Sequence, residues 1–401
     1  MGIRRRGIRD ASITYLARSF LDYRVPVYRA LDELVNGRLH VIYSTLWTLE
    51  RVQAKLKSVL GSRAVGLSGE RSIGSHRPSQ GMANSSLCIT YQPGLMSAIA
   101  RTKPDILVSD ELFKWTLAGI AYRLRHRVPL VVCYERTFHT ERNAQWYRVA
   151  YRRLALKLVD SVCCDGRLCA EYVRWLGMPS SRITTGHMAA DIDGLWERVD
   201  AVNDDDREAL RRRIDTNGLI FLYVGQLIVR KGVAELLAGW ARLERAAPDS
   251  GSLVIIGDGT ARDDLRRVAD GLGVRNVRFV GAVDYDRMAP YYAAADVFVM
   301  PTLEDNWSLV VPEAMACGLP ILCSKYNGCW PELVHTGGNG RVFDPLDSAD
   351  VFRALEWCLA NRDRLPQMGR NSRVIVGDHS PQRAAEAILR ACRLSLRGRA
   401  R

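Results

Sequence analysis

No stretch of the 401-residue sequence approaches the run of about 20 apolar residues that crosses a bilayer as a helix. The opening MGIRRRGIRDAS is basic but has no apolar core behind it, so it does not read as a signal peptide, and a cytosolic chain is expected. Ten cysteines are present, yet there is no CxxC pair and no Cys/His cluster with metal-ligand spacing. Cys163, Cys317 and Cys323 stand inside apolar runs and read as small buried hydrophobes, not as disulfide partners or zinc ligands. A GxGxxG is missing, which argues against a dinucleotide cofactor. No nucleic-acid-binding motif and no basic stripe with interleaved aromatics is found, so nucleic acid is not an expected partner.

What is present suits an α/β enzyme. The hydrophobic fraction is 47%, with 32 Gly and 15 Pro. A chain of this length is expected to form two domains, each with a full core. The net charge of +13 is uneven. Residues 1–200 hold 30 Lys and Arg against 18 Asp and Glu, residues 201–350 hold 16 against 22, and residues 351–401 hold 11 against 4. A basic surface is therefore expected on the first half and the tail, either merely solvated or facing an anionic partner.

Along the first half, SITYLA, LHVIYS, PDILVSD, VPLVVCYE and DSVCCDG read as strands, each followed by a segment of helical period. That is a βαβ series, and it implies a parallel sheet covered on both faces. Residues 61–86, rich in Gly, Ser and polar residues, read as an irregular insertion. A charged break, VDAVNDDDREALRRRIDTNG, covers the region 199–216. The series then restarts with LIFLYVGQ, SLVIIGDG, NVRFVGA, DVFVMP, LPILCS and GRVFD. The expected architecture is two Rossmann-like doubly wound domains facing a cleft. The first covers 1–199 on the acceptor side, with a terminal helix in 378–401 packing back on it, and the second covers 215–377.

Three strand-to-helix loops of the second half carry polar groups where ligands bind in open parallel sheets. In YVGQLIVRKGVAELLAGW, Arg230 and Lys231 stand at a helix start near Gly232, behind Gly225 and Gln226. Cations are unfavourable for the dipole there, so an anionic ligand is the better reason for them. In VIIGDGTARDDL, Gly257 and Gly259 allow close backbone approach to a ligand, or simply form a tight turn. In TLEDNWSLVVPEAMACGLPI, Ser308 is placed to cap a helix from Leu309, and Glu313 follows one turn later. A carboxylate is costly to bury unless it accepts hydrogen bonds, and sugar or ribose hydroxyls are natural donors. With Asp305 before the cap, the set of groups suits a sugar joined to a nucleoside through a diphosphate.

These motifs resemble the retaining family 4, group 1 glycosyltransferases of the GT-B fold. Their Glu-x7-Glu pattern and Ala-Met-Ala-x-Gly-x-Pro run stand here as Asp305-x7-Glu313 and EAMACGLP, and KYNGCWPELV followed by GGNGRVFDPLD also fits. The resemblance covers most of residues 218–360. It implies that Glu313 binds ribose hydroxyls and Asp305 contacts the donor sugar. It also implies that N–H groups near Ser308 and Leu309 hold the diphosphate together with Lys231. The first acid is Asp rather than Glu, with Glu304 adjacent as an alternative. Gln226 stands where the family often has Arg, a cation that Arg230 can supply. No metal or cofactor is expected.

The first half matches that family more loosely and lacks its Gly-Gly loop. Asp22, Tyr23 and Arg24 follow the first strand, where an acceptor could bind. VVCYERTFHTER puts Glu135 and Arg136 at a strand end, Glu135 either for orientation or proton handling or in a structural salt bridge, with His139 further along. Asp191 and Asp193 imitate a metal-binding DxD but fall outside the expected cleft loops. Residues 142–160 read as an amphipathic helix, with apolar positions at 147, 151, 154 and 158 and basic residues Arg148, Arg152, Arg153 and Lys157. It suits an anionic bilayer surface, or ordinary packing on the sheet. The function implied is transfer of a sugar from a nucleotide sugar to a growing, lipid-linked glycan in cell-surface polysaccharide biosynthesis, at the inner face of the membrane. The alternatives are a nucleotide-sugar epimerase or hydrolase on the same fold, and a non-catalytic nucleotide-sugar or nucleic-acid binding protein.

Overall fold

The computed structural model describes residues 7–74, 88–214, 218–248 and 250–397. By their contacts they divide into two compact units. One holds residues 7–74, 88–189 and 379–397, and the other holds the described residues of 190–378.

The first unit is built on seven parallel strands. They are β1 (Ile13–Ala17), β2 (Leu39–Ser44), β3 (Ala64–Leu67), β6 (Ile106–Asp110), β7 (Leu130–Tyr134), β8 (Ser161–Cys164) and β9 (Ile183–Thr185), in the order β3-β2-β1-β6-β7-β8-β9. A separate antiparallel pair, β4 (Arg71–Gly74) and β5 (Cys88–Tyr91), lies between β3 and β6 in sequence. Every residue of β1, β7 and β8 is buried, as expected for strands covered by helices on both faces. The expected irregular insertion at 61–86 thus contains β3 and β4, and its residues 75–86 lie outside the described residues. β3 and β9 are edge strands of four and three residues whose positions are mostly not fully buried, so their apolar pattern is weak.

The second unit repeats the plan with β10 (Leu219–Val224), β11 (Gly251–Ile256), β12 (Val277–Gly281), β13 (Val297–Met300), β14 (Ile321–Ser324) and β15 (Gly340–Phe343). Their order, β12-β11-β10-β13-β14-β15, is all parallel. In both sheets the order reverses beside the unit's first strand, between β1 and β6 and between β10 and β13. That switch point leaves a crevice at the strands' carboxyl ends.

Two segments refine the sequence reading. The terminal helix Pro381–Arg397 belongs to the first unit, where Ala384, Ala385, Ala387, Ile388, Ala391 and Cys392 are buried in the core. Its small side chains let helix Arg24–Leu34 come close. Ser161 and Thr184 donate hydroxyl hydrogen bonds to the carbonyls of Ala391 (2.8 Å) and Ala387 (3.2 Å). Helix Ile192–Asp200, assigned above to the first domain, instead packs on helices Ala289–Ala294 and Val310–Ala316 of the second unit. Asp200 fixes it there by accepting from Arg373 at 2.7 Å. Cys163, Cys317 and Cys323 are free and buried.

Candidate active site

In the second unit the loops leaving β10 and β13 at the switch point are stitched together. The amide of Leu303 and the hydroxyl of Thr302 both donate to the carbonyl of Arg230, at 2.8 and 3.1 Å. Arg230 donates back to the carbonyl of Glu304 at 3.4 Å. Between the loops sits Gly232 with φ of 70°, and a Cβ there would lie 2.0 Å from the carbonyl oxygen of Pro301. Only glycine allows this approach, which puts Lys231 directly against the second loop.

Lys231 forms an ion pair with the Asp305 carboxylate, and both side chains are nearly buried. The Ser308 hydroxyl donates to the same carboxylate oxygen at 2.6 Å. Burial alone would raise the Asp305 pKa, but the Lys231 charge and the hydrogen bonds from Lys231 and Ser308 outweigh it and hold the carboxyl below its usual range. The pair is therefore a fixed carboxylate and a fixed ammonium at the end of β13.

Ser308 is not the expected helix cap. The helix runs Val310–Ala316 from an N-cap at Leu309 and has no side-chain cap, because the Ser308 hydroxyl is drawn to the stronger acceptor, Asp305. The Ser308 amide donates to the buried Asn327 side chain at 3.3 Å, so it is already engaged. Asn327 also receives the Cys329 thiol at 3.2 Å. The KYNGCW segment thus supports the acidic loop from beneath. Glu304 is buried beside Asp305, while Asp305 makes the contact with Lys231.

Glu313 stands one turn into the helix. Its carboxyl is raised to about 7, first by burial, against a Tyr292 hydrogen bond of 3.4 Å that lowers it, and with Asp191 adding repulsion. Asp191, set aside above as remote, is therefore one of this carboxyl's neighbours. Tyr285 stands nearby, with the Arg198 guanidinium 5.0 Å over its ring. A half-buried carboxyl with one weak partner retains capacity to accept hydrogen bonds.

Gly257 and Gly259 are explained without a ligand. Added Cβ atoms would lie 1.9 Å from the Gly225 carbonyl and 2.4 Å from that of Leu227. Their close approach is to the neighbouring loop of the protein, which by itself calls for glycine at both positions. Gln226 is exposed, and its carbonyl accepts from Tyr223 at 2.9 Å.

In the first unit the switch point gathers residues the sequence reading passed over. Asp110 ends β6 and accepts from Tyr15 (2.6 Å) and Arg24 (3.3 Å). Glu111 follows with φ of 62°, a left-handed conformation costing about 1–3 kcal/mol in a non-glycine residue. The acidic pair ending PDILVSDE was the signal available in sequence. Glu135 follows β7, and no hydrogen bond or ion pair reaches its carboxylate among the described residues. Its pKa is raised to about 7, chiefly by burial and then by Glu111. The salt bridge weighed for Glu135 belongs to its neighbour, since Arg136 pairs with Glu111 at 3.2 Å.

The acceptor candidates divide. Arg24 is buried and donates to the His187 carbonyl at 2.7 Å, Tyr15 and Asp110, so it anchors the core instead of facing a ligand. Asp22 is held by Arg51 (3.0 Å) and Lys55 (2.8 Å). Tyr23 lies near Glu135, and its hydroxyl pKa is pushed up first by burial and then by that carboxylate. His139 lies in the loop after β7, where its carbonyl accepts from Arg142 at 2.6 Å. Among the described residues, no cluster of three or more His, Cys, Asp or Glu side chains is arranged to hold a metal ion.

Comparison with known proteins bears on this geometry. Residues 204–375 match the family model described as glycosyl transferases group 1, and residues 61–193 match that of glycosyltransferase family 4. Sulfoquinovosyl transferase SQD2 of Arabidopsis thaliana is 28% identical over 72% of this chain and 56% of its own length. The lipopolysaccharide core biosynthesis glycosyltransferase LpsE of Rhizobium meliloti is 33% identical over 45% of this chain and 52% of its own. The GDP-mannose-dependent monoacylated alpha-(1-6)-phosphatidylinositol monomannoside mannosyltransferase of Corynebacterium glutamicum is 30% identical over 49% of this chain and 52% of its own. The chain thus spans about half the length of these curated relatives. In fold it is similar to the crystal structure of Anabaena HepE with UDP, with a TM-score of 0.73, 18% identity, and coverage of 95% of this chain and 99% of that one. WaaG, a glycosyltransferase involved in lipopolysaccharide biosynthesis, gives a TM-score of 0.62 at 17% identity over 93% and 98% of the two chains.

Proposed function

The chain belongs to the group 1 glycosyltransferases, and on that premise we propose that it moves a sugar from a nucleotide-sugar donor, with retention of configuration and without a metal, to a lipid-linked acceptor. The observation that carries this reading is the Lys231–Asp305–Ser308 cluster at the second switch point, with the Glu313 carboxyl one helical turn on. Lys231 and Arg230 offer positive charge where a diphosphate gains charge on departure, the moment when fixed charges matter most. Glu313 accepts from ribose hydroxyls, and Asp305, held ionised, faces the donor sugar. The acceptor hydroxyl attacks from the face the diphosphate leaves. Glu135, whose carboxyl is raised to about 7, orients that hydroxyl or takes its proton. A lipid-linked acceptor is supported by relatives whose names place them in lipopolysaccharide core and phosphatidylinositol mannoside synthesis. The work would be done at the cytosolic face of the membrane, in cell-surface polysaccharide biosynthesis. Among the described residues, no helix is long and apolar enough to cross a membrane.

The test is sugar transfer to glycolipid acceptors with chelator present, the new linkage being read by NMR. Retention and indifference to chelator are expected, with Glu135→Gln losing turnover while keeping donor affinity. Inverted product, dependence on divalent metal, or release of free sugar without transfer would overturn the reading.

A further inference from the structure

Helix Trp146–Lys157 does not divide as its sequence suggests. Its buried positions are Arg152, Ala155 and Leu156, and Arg152 is neutralised inside by Glu141 at 2.7 Å. The positions open to solvent include Trp146, Ala150, Arg153, Leu154 and Lys157. These fall at i, i+4, i+7, i+8 and i+11, one stripe along the helix. Leu154, assigned above to the apolar face, thus shares the outward stripe with the cations. Trp146 is 80% exposed and Leu154 60%.

The next helix widens this surface. Trp175 is 47% exposed, with the Arg153 guanidinium 4.7 Å over its ring. Phe138 stands edge-on to Trp175 at 5.4 Å. Trp146, Arg153, Leu154, Lys157 and Trp175 line an open groove of about 610 Å³. The helix carries no acidic residue. The carboxylate of Glu171 on the neighbouring helix faces Arg167 at 3.8 Å.

Resting on the lipid-linked acceptor proposed above, we propose that this stripe is the protein's docking surface for a bilayer containing anionic phospholipid. Trp146 and Leu154 enter the interface, and Arg153 and Lys157 meet headgroup phosphates. Charge complementarity selects this occupant. Tryptophan and tyrosine rings settle at the membrane–water boundary, and cations beside them favour anionic leaflets. The rest of the molecule agrees, because the exposed aromatics Trp47, Tyr91, Phe138, Trp146, Tyr147 and Trp175 all lie in the first unit, against Tyr285 alone in the second, among the described residues. The same unit holds most of the basic surplus.

The test is flotation of the full chain with vesicles of phosphatidylcholine alone, or of phosphatidylcholine with phosphatidylglycerol. Flotation with the anionic vesicles only, weakened by salt, is expected. Trp146→Ala with Leu154→Ser should lower partitioning by about tenfold or more, and Arg153→Glu with Lys157→Glu should abolish the anionic preference. A brominated lipid should quench less tryptophan emission in Trp146→Phe than in the parent. Circular dichroism and thermal melting of each variant confirm that it is folded. Failure of the parent to bind, equal binding to neutral vesicles, or variants that bind as the parent does would overturn the proposal. So would a dimer seen by light scattering that the same variants dissolve, since a second copy would then own the surface. Donor binding, measured on the same samples, separates the two readings. Its loss in the parent overturns the transferase reading, whereas lost flotation with intact donor binding overturns only the docking surface.

Discussion

Glu313 and Glu135 are both carboxyls raised to about 7, and in each the largest cause is burial. For Glu313 the folded value stands above the ordinary 4.3 of a free glutamate. Its favourable contribution to stability is therefore complete below that value and is lost as pH rises through about 7. Glu313→Gln should accordingly melt above the parent at pH 8 and converge with it only below about pH 4. The same carboxyl should lose its proton when donor hydroxyls bind it. Calorimetry near pH 7 in buffers of different ionisation enthalpy should then show proton release and affinity that rises with pH. Glu313→Gln should remove both effects and weaken donor binding about tenfold, the worth of one charge-assisted hydrogen bond. The Lys231–Asp305 pair makes a different prediction. Lys231→Ala leaves a buried carboxylate unpaired and should cost about 3–5 kcal/mol by denaturant unfolding. Adding Asp305→Asn should recover much of that loss while leaving transfer abolished, and simple additivity of the two losses would refute the coupling.

At the scale of elements, unbroken apolar runs such as ITYLA, LVVCY and LVII announced most of the parallel strands, because strands covered on both faces leave no room for polar residues. Short edges did not announce themselves. Three-residue β9 has no apolar alternation to read, and β3 and β4 lie in a segment whose Gly and Ser content suggested a loop. The acidic loop of the second unit was readable because its polar residues interrupt two such runs. What those residues bond to was not, since Ser308 chooses between capping a helix and serving Asp305 only once the two are in contact. Gly257 shows the same limit, for sequence marks a close approach without saying what approaches. Helix Trp146–Lys157 failed by phase, because Arg152 is buried only when Glu141 is there to neutralise it. Gly232 offers the sharpest test at this scale. Gly232→Ala meets the Pro301 carbonyl in a left-handed conformation, and it should lower stability by at least about 1–3 kcal/mol and uncouple Lys231 from Asp305. Unchanged melting and unchanged donor affinity would show that the two loops are not clamped as described.

At the scale of the whole molecule, the chain divides into two doubly wound units, and the function proposed above predicts that the donor binds the second. A ligand that binds only the folded state stabilises it by an amount that grows with the logarithm of its concentration relative to Kd. The most direct measurement is therefore calorimetric melting of the full chain against a panel of nucleotide sugars, with chelator throughout. The account predicts that one class of donor raises the melting temperature of the parent, and that Asp305→Ala and Glu313→Gln reduce the rise. No shift with any donor, or a shift that survives both substitutions, would contradict it.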